Sequence, residues 1–382
     1  MEGFAPTRLA VHVLPEDDLR RKLAKGAPLR VKLGIDPTAP DIHLGFAVVL
    51  DRLREWQDAG HTVVLIVGDY TARIGDPSGR SAERPVLADE ELDRNAREFA
   101  AQLFRVLDPE RTEIRFNGEW LGQLGYADVV RLTRTMTVAR LLERDDFAKR
   151  FAGREPISLS ELLYPLMQAY DSVAIEADVE IGGSDQLYNL LAGRDVMEHY
   201  GLEPQVVVTY ELLVGLDGEE KMSKSRGNYV GILDSPDEMF GKTMSIPDSA
   251  LPQWWELVAG GGPHPDEPME WKLELARRIT ARWHGEEGAR AGEEHFTRVV
   301  RRGEAPEEMP RAPLPDGDPV HLPALLASAF GMTTSEARRL IGQGGVRLDG
   351  EAVDELDLPR RRLEGSVLQA GKRRFARLDA SS

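Results

Sequence analysis

Two short segments, far apart in the chain, carry the residue types that bind a polyphosphate. The first runs from Asp36-Pro-Thr38 to His43-Leu-Gly45, and the second is the loop Lys221-Met-Ser-Lys-Ser-Arg-Gly227. Backbone N–H groups at a helix start face a phosphate well, and Gly45 would let a nucleotide approach the backbone closely. Each segment alone also has a purely structural explanation. The first could be a proline turn before a helix capped by Asp41, and the second could be a solvated basic loop. The pair together indicates a site for a nucleoside triphosphate.

A third set of polar residues lies on one face of a predicted helix. Ser158 and Glu161 form a capping box, and Tyr164, Gln168 and Asp171 then recur at helical spacing among leucines. An ordinary half-buried helix face is the alternative. Polar groups with apolar neighbours are costly to bury unless they meet a polar ligand, so this face is a candidate pocket wall.

These residues must be positioned by a sheet. Residues 30–35 are an apolar run that ends in a proline-rich turn, a helical pattern follows from His43 to Trp56 until Gly60, and residues 61–67 are β-branched and apolar. That order predicts a βαβ unit with a right-handed crossover, hence a Rossmann-type parallel sheet of the α/β class. The run Ile181-Gly-Gly-Ser-Asp-Gln186 ends another predicted strand. Its polar residues should therefore lie at the same carboxyl edge of the sheet as the first segment.

The rest of the chain alternates in the same way and then changes texture. Helices are predicted around residues 89–107, 126–150, 158–171 and 187–200, and strands near 112–116, 177–181 and 205–210. The segments predict a sheet domain over 1–230, an α-helical domain over 231–303 that includes an amphipathic helix from Met269 to His284, a proline- and acid-rich linker over 304–319, and a small third domain of the α+β type over 320–382.

The last domain differs in charge from the rest. The chain has a formal net charge of −17, yet His321–Ser382 holds ten Lys and Arg against eight Asp and Glu. Residues 335–341 read as a helix and 345–350 as a strand and turn. Clustered basic residues favour phosphate contacts, whereas a solvated charged surface is the alternative. The candidate RNA-binding residues are Arg338, Arg339, Arg347, Lys372 and Arg373.

Several classes of protein are disfavoured by composition. The chain has no cysteine, so disulfides and thiolate-bound zinc are excluded, and its eight histidines show no paired metal-ligand spacing. Apolar runs such as Val63–Val67 are far shorter than the ~20 residues that cross a bilayer. The N-terminal residues lack the pattern of a secretory signal, so a cytoplasmic enzyme is expected, with any metal arriving on a substrate.

The two phosphate-binding segments together resemble the paired signature of the class I aminoacyl-tRNA synthetases. With the polar face from Tyr164 to Asp171, the sequence resembles the bacterial tyrosyl-tRNA synthetases over essentially its whole length. The resemblance implies activation of L-tyrosine by ATP with Mg²⁺, followed by transfer to the 3′-terminal adenosine of tRNA(Tyr), in a homodimer whose interface lies near residues 118–150. The resemblance of the tail is to an RNA-binding module of a small-subunit ribosomal protein.

The resemblance also implies residue roles. The residues that stabilise the leaving pyrophosphate would be Thr38, His43, Arg80, Arg84, Lys221 and Lys224. Those at ATP would be Asp36, His43, Gly45, Gly183, Asp185, Lys224 and Ser225. Those at tyrosine would be Thr71, Asp76 in Gly75-Asp-Pro-Ser-Gly79, Tyr164, Gln168, Asp171 and Gln186. Asn117 and Trp120 resemble residues that flank the pocket, but this resemblance is weaker.

Two positions depart from the family. Phe46 stands where a second polar residue, generally His, contacts the ribose, so one contact is expected to be lost or supplied otherwise. Lys32 stands where many members have a Tyr that helps Asp171 hold the phenol, and no role is assigned to it. Three other readings remain open at this stage: a tryptophan enzyme of the same fold, an RNA-binding protein that has kept an inactive synthetase body, and a small nucleotidyltransferase, which would leave the second lysine loop unexplained.

Overall fold

The computed structural model describes residues 4–36, 42–73, 94, 98–99, 101–301, 309–371 and 374–379. The chain forms two compact units. The first comprises Met1–Leu233 and Ile246–Pro263, and the second comprises Asp234–Ser245 and His264–Ser382. The first unit therefore extends beyond residue 230, the end of the domain predicted from the change in texture, by taking in a later helical segment.

The first unit is built on a mixed sheet whose core strands are parallel. Its described strands are β1 (Ala10–Leu14), β2 (Arg30–Ile35), β3 (Thr62–Val67), β4 (Thr112–Phe116), β5 (Val179–Gly183) and β6 (Val206–Tyr210). They lie in the order β1-β6-β5-β2-β3-β4, and only β1 runs antiparallel to its neighbour. The Rossmann-type α/β class predicted from the sequence is thus confirmed.

The strand order reverses at β2. From β2 the chain moves outward through β3 to β4, and it then returns to place β5 and β6 on the other side of β2. Connections leave neighbouring strands in opposite directions at such a point, which opens a crevice at the carboxyl ends of the strands. The predicted site residues follow β2, β3 and β5, so this topology brings them to one edge.

Helices cover both compact units. Their described ranges are α1 (Glu16–Ala24), α2 (Leu44–Asp58), α3 (Gly118–Leu121), α4 (Tyr126–Thr133), α5 (Val138–Leu141), α6 (Asp145–Ala152), α7 (Leu159–Ala174), α8 (Leu187–His199), α9 (Pro236–Met244), α10 (Leu251–Leu257), α11 (Pro268–His295), α12 (Leu322–Phe330), α13 (Thr334–Gly342) and α14 (Arg360–Leu363). Much of the helix predicted over 89–107 lies outside the described residues.

One predicted helix was wrong in detail. The segment 126–150 is divided among α4, α5 and α6 because new caps interrupt it: Thr137 accepts a hydrogen bond from the backbone of Arg140, and acidic residues open α6. By contrast, α7 begins as predicted. Ser158 and Glu161 form the reciprocal capping box, and Arg150 clamps Glu161 with two hydrogen bonds.

In the second unit, α9 packs along α11, and the C-terminal part has its own core. The helix predicted over 269–284 continues beyond a break at Gly285, where φ is 72°. The C-terminal sheet has the order β10-β9-β12-β13-β7, beside a β11-β8 pair. Its strands are β7 (Arg311–Pro313), β8 (Val320–His321), β9 (Val346–Leu348), β10 (Glu351–Ala352), β11 (Asp357–Leu358), β12 (Val367–Ala370) and β13 (Arg374–Asp379).

Strand β7 lies inside the segment 304–319 that composition predicts to be a linker. Ala312 and Leu314 are 5% and 2% exposed and belong to the C-terminal core. Proline at the end of β7 is tolerated because the strand lies at the sheet edge. Proline-rich composition therefore concealed a short edge strand.

The close approach of α9 and α11 depends on Gly292, where a Cβ atom would lie 2.8 Å from the Pro236 carbonyl oxygen. We expect Gly292→Ala to lower the free energy of unfolding by ~1–3 kcal/mol through overpacking. Gly241→Ala on α9 is the matched control, because its Cβ would meet nothing within 4 Å and alanine favours a helix. Chemical denaturation of both variants measures this; equal stability of the two would contradict the packing account.

Candidate active site

A short antiparallel bridge joins the two distant phosphate-binding segments. His43 pairs with Gly231, the Leu44 N–H donates to the Val230 carbonyl at 2.9 Å, and the Ile232 N–H donates to Ile42 at 2.9 Å. The start of α2 is thereby joined to the chain that leaves the lysine loop, Lys221–Gly227. The sequence predicts that these segments act together, and the backbone holds them side by side.

Gly45 and Met222 form the contact between the segments. The Gly45 N–H donates to the Met222 sulfur at 3.2 Å, and a Cβ atom at position 45 would lie 3.2 Å from the Met222 Cβ. A side chain at position 45 would therefore need Met222 or the His43 ring to move by a few tenths of an ångström. Close packing within the protein thus favours glycine here, in addition to the ligand access that the sequence predicts.

His43 caps α2 and is neutral near pH 7. Its Nδ1 accepts a hydrogen bond from the Phe46 N–H at 3.3 Å. Burial, reinforced by the nearby positive charge of Lys224, lowers the pKa of His43 to about 4. Because Nδ1 accepts, the single ring proton is on Nε2, and His43 can donate that hydrogen to an anionic ligand.

Lys221 reaches from the second loop to the end of β5. Its Nζ lies 2.6 Å from Oδ2 of Asp185. A Cβ atom at Gly183 would lie 2.8 Å from Oδ1 of the same Asp185 and 2.5 Å from Leu212. Lys224 and Ser225 follow in a one-turn 3-10 helix that ends at Gly227. Residues predicted to bind ATP thus come together from three segments.

A chain of hydrogen bonds joins the carboxyl ends of β2 and β3 to α7, the helix that the sequence predicts to be a wall of a polar pocket. Tyr164 donates to Asp36 at 2.9 Å, Thr71 donates to the other oxygen of Asp36 at 2.8 Å, and Asn117 donates to Thr71 at 3.0 Å. The resemblance assigns Asp36 to ATP, whereas Tyr164 and Thr71, two of its partners, belong to the residues predicted to bind tyrosine. Gly68 makes this possible, because a Cβ there would lie 2.1 Å from Asp36 and 2.4 Å from Thr71.

Asp171 lies further along the same face of α7, at the predicted base of that pocket, and is only 3% exposed. Its carboxylate oxygens accept hydrogen bonds from the Trp120 indole N–H at 2.8 Å and from the Asn117 amide at 3.3 Å. Burial raises the pKa of Asp171 to about 7, against the opposing influence of the Lys32 ammonium and of these two hydrogen bonds. A single polar ligand group placed here would meet a strongly desolvated acceptor.

Gln168 completes the polar face of α7. Its amide nitrogen lies 3.4 Å from Glu180, a residue on β5 that is 1% exposed. Sequence reasoning missed Glu180 and Gly68. An acidic residue inside an otherwise apolar strand was the available signal for Glu180, whereas the requirement for glycine at position 68 depends on a contact between strand ends.

Phe46 turns to an aromatic neighbour. Its ring packs edge-on against Phe99, with ring centroids 5.4 Å apart. The position that is polar in the resembling family is therefore part of an apolar contact, and no described hydrogen bond replaces the side-chain donor that a histidine would supply there.

The remaining predicted site residues fall into three groups. Gln186 lies at the start of α8, where its side-chain oxygen accepts from Asn189 at 3.0 Å. Arg338, Arg339 and Arg347 are exposed in the C-terminal part. Outside the described residues are Thr38, Asp76, Arg80, Arg84, Lys372 and Arg373.

No described helix is long and apolar enough to cross a membrane. Across the part of the chain that the structure describes, no group of three or more His, Asp or Glu side chains is arranged to hold a metal ion.

The sheet and its paired loops define a class of enzyme. Residues 24–300 match the family model described as tRNA synthetases class I (W and Y), a class that uses ATP. Solved structures share the fold: a tyrosyl-tRNA synthetase from Archaeoglobus fulgidus has a TM-score of 0.62 at 24% identity, covering 75% of this chain and 97% of that one. One from Aeropyrum pernix gives 0.62 at 20% identity, covering 78% and 97%.

Curated relatives resolve the branch within that class. The tyrosine–tRNA ligase of Moorella thermoacetica is 50% identical, covering 97% of this chain and 94% of the relative. That of Thermotoga maritima is 48% identical, with 97% and 95% covered. The chain belongs to the tyrosine–tRNA ligases of the class I aminoacyl-tRNA synthetase family, and the tryptophan and nucleotidyltransferase readings are set aside.

The raised pKa of Asp171 predicts a pH-dependent stability. Between the ordinary carboxyl pKa near 4 and about 7, the unfolded chain has lost the proton that the folded protein retains, so the free energy of unfolding falls as the pH rises. Relative to the parent, Asp171→Asn should become more stable across this window, by about 1.4 kcal/mol for each unit of pKa difference. Denaturant unfolding at several pH values measures this.

Glu161→Gln is the control of opposite sign. The hydrogen bond from Arg150 holds the pKa of Glu161 below its usual range, so that variant should lose stability relative to the parent as the pH rises through the carboxyl range. A stability difference for Asp171→Asn that does not change with pH would contradict the assignment.

Proposed function

We propose that the enzyme works in two steps at the switch point of the sheet: the tyrosine carboxylate attacks the α-phosphate of ATP, and the tyrosyl group then passes to the 3′-terminal ribose of tRNA(Tyr). The observation that carries this proposal is the bridge between His43 and Gly231. It holds the start of α2 against the chain that leaves the lysine loop, which supports a shared ATP site at this edge of the sheet.

In the pocket, tyrosine would lie with its ammonium group at the entrance and its phenol at the base. Asp36 and Tyr164 offer polar atoms at the entrance, together with Thr71, Gln168 and, from the family resemblance, Asp76 and Gln186. Asp171 would accept the phenolic hydrogen. Because it is desolvated, phenylalanine would leave it without that partner, which is the condition for strong rejection.

At the phosphates, positive charge and directed donors would stabilise the leaving pyrophosphate. His43 would donate from Nε2, and Lys224 would supply the charge that also depresses the pKa of His43. Lys221 would hold Asp185 at the ribose, with Gly45, Gly183 and Ser225 lining the ATP site. Mg²⁺ would enter with ATP as part of the substrate. Thr38, Arg80 and Arg84 are proposed only on the resemblance.

No covalent enzyme intermediate is required. The attacking carboxylate and the leaving pyrophosphate are both already charged, so the protein needs to align them and to stabilise charge that moves toward the leaving group. A neutral histidine and lysines would therefore suffice, and the first step would need no general base.

The tRNA would need a second contact. The exposed Arg338, Arg339 and Arg347 support RNA binding by the C-terminal domain over 320–382, with Lys372 and Arg373 added from the sequence. A homodimer is proposed with its interface near residues 118–150, where Tyr126 is 86% exposed and Val138 is 60% exposed. A cytoplasmic location is proposed because tRNA and ATP are the substrates.

The direct test of the activity is amino-acid-dependent ATP–pyrophosphate exchange, followed by charging of tRNA. Exchange that requires tyrosine, with transfer to tRNA(Tyr), supports the proposal. Exchange driven by tryptophan instead, or RNA binding with no exchange, would overturn it, and the latter result would favour the inactive-body alternative raised by Phe46.

Lys224→Ala should separate chemistry from binding. Loss of a charge that acts on the leaving group should lower the rate of tyrosyl-adenylate formation by ~10²-fold or more while tyrosine affinity changes little. Pre-steady-state adenylate formation and equilibrium tyrosine binding measure the two quantities. Lys25→Ala, an exposed lysine paired with Glu203, is the control; an equal loss of tyrosine affinity in Lys224→Ala would refute the role.

A further inference from the structure

A fully buried ion pair lies directly behind the polar face of α7. Lys32 and Glu180 are neighbours on β2 and β5, paired in register, and their side chains are 0% and 1% exposed. The Lys32 Nζ lies 2.9 Å from Oε1 of Glu180. Cross-strand neighbours project from the same face of a sheet, and this face is covered by α7.

All three ammonium hydrogens of Lys32 have acceptors within the protein. Besides Glu180, its ammonium donates to the backbone carbonyl of Gln168 at 2.8 Å and to the hydroxyl of Ser172 at 2.7 Å. An ammonium group has three hydrogens, so none remains for a substrate. Lys32 therefore cannot bind the phenol of tyrosine as the tyrosine side chain of its relatives would.

Glu180 uses its two oxygens in the same way. Oε1 lies 3.4 Å from the Gln168 amide, and Oε2 accepts from Ser172 at 3.3 Å and from the amide of Gln205. The pair consequently holds one turn of α7 at three points: a backbone carbonyl, a side-chain amide and a hydroxyl. Asp171 lies inside that turn.

Such a pair is a poor means of stabilising the fold. Removing two charges from water costs several kcal/mol, and apolar replacements of similar size are often neutral or stabilising. Because the Glu180 carboxylate occupies the Gln168 amide nitrogen, the amide oxygen of Gln168 is left for the pocket. The pair thus acts on both ends of the proposed tyrosine site.

We propose that Lys32 and Glu180 are positioning residues that fix the Gln168–Ser172 turn, and so set both tyrosine affinity and the discrimination between tyrosine and phenylalanine. The inference rests on the proposed function. In this chain a charge pair behind the helix replaces a direct contact with the phenol. The Lys32 ammonium also favours the ionised form of Asp171, the form that accepts the phenolic hydrogen best.

The test compares Lys32→Met with Lys22→Met. Lys22 is also buried, at 1% exposure, and pairs with Asp178 at 3.0 Å, but neither residue contacts the polar face of α7. In ATP–pyrophosphate exchange, Lys32→Met should raise KM for tyrosine by about tenfold or more, as expected for loss of charged hydrogen bonds. KM for ATP should stay near that of the parent, and the ratio of kcat/KM for tyrosine over phenylalanine should fall.

Lys22→Met should lower thermal stability without moving either KM or that ratio. An unchanged KM for tyrosine and an unchanged ratio in Lys32→Met would overturn the inference. Exchange by the parent enzyme that does not depend on tyrosine would instead overturn the proposed function, so the two failures are distinguishable.

A double variant guards against misfolding of Lys32→Met. Lys32→Met with Glu180→Met removes both charges, so folding should recover, while the Gln168 carbonyl and amide lose their anchors. We expect stability near that of the parent together with the impaired KM for tyrosine. If both stability and KM for tyrosine returned to the values of the parent, the pair would be merely structural. Ser172→Ala, which removes one anchor and no charge, should shift KM for tyrosine in the same direction by a smaller factor.

Discussion

Desolvation of one carboxyl group organises this active site. Asp171 has almost no contact with water, so burial favours its protonated form, and each neighbour that restores the ionised form must be supplied by the protein. Trp120 and Asn117 supply hydrogen bonds, and Lys32 supplies positive charge from behind the helix. In the proposed site a ligand hydroxyl would be the remaining partner, which would link the burial of Asp171 to the choice of amino acid.

The sheet topology makes that pocket adjacent to the phosphate site. The strand order reverses at β2, which brings the carboxyl ends of β2, β3 and β5 to one edge. There Asp36 accepts hydrogen bonds from Tyr164 and Thr71. The bridge at His43 then fixes the lysine loop against the same edge. In the proposed mechanism, amino-acid recognition and phosphate stabilisation would therefore use different side chains on a shared backbone frame.

Much of this frame could be predicted from the sequence because its signals are local. The β2–α2–β3 unit, the Ser158 cap and the helical spacing of Tyr164 to Asp171 are readable as periodicity and turn chemistry. What the sequence could not show depends on contacts across the sheet. The position of Asp36, the partner of Lys32 and the need for Gly68 arise only when strands far apart in the chain lie side by side, and the edge strand β7 was hidden by its prolines.

The central claim is that the amino acid is selected by the buried acceptor at the base of the pocket. Its most direct measurement is the ratio of kcat/KM for tyrosine over phenylalanine in ATP–pyrophosphate exchange, for the parent and for Asp171→Ala. Sites that bond a substrate hydroxyl reject the analogue that lacks it, and tyrosine-specific synthetases are the established example. The account predicts a ratio that collapses toward unity in the variant, chiefly through loss of activity with tyrosine. A ratio preserved in Asp171→Ala would contradict it.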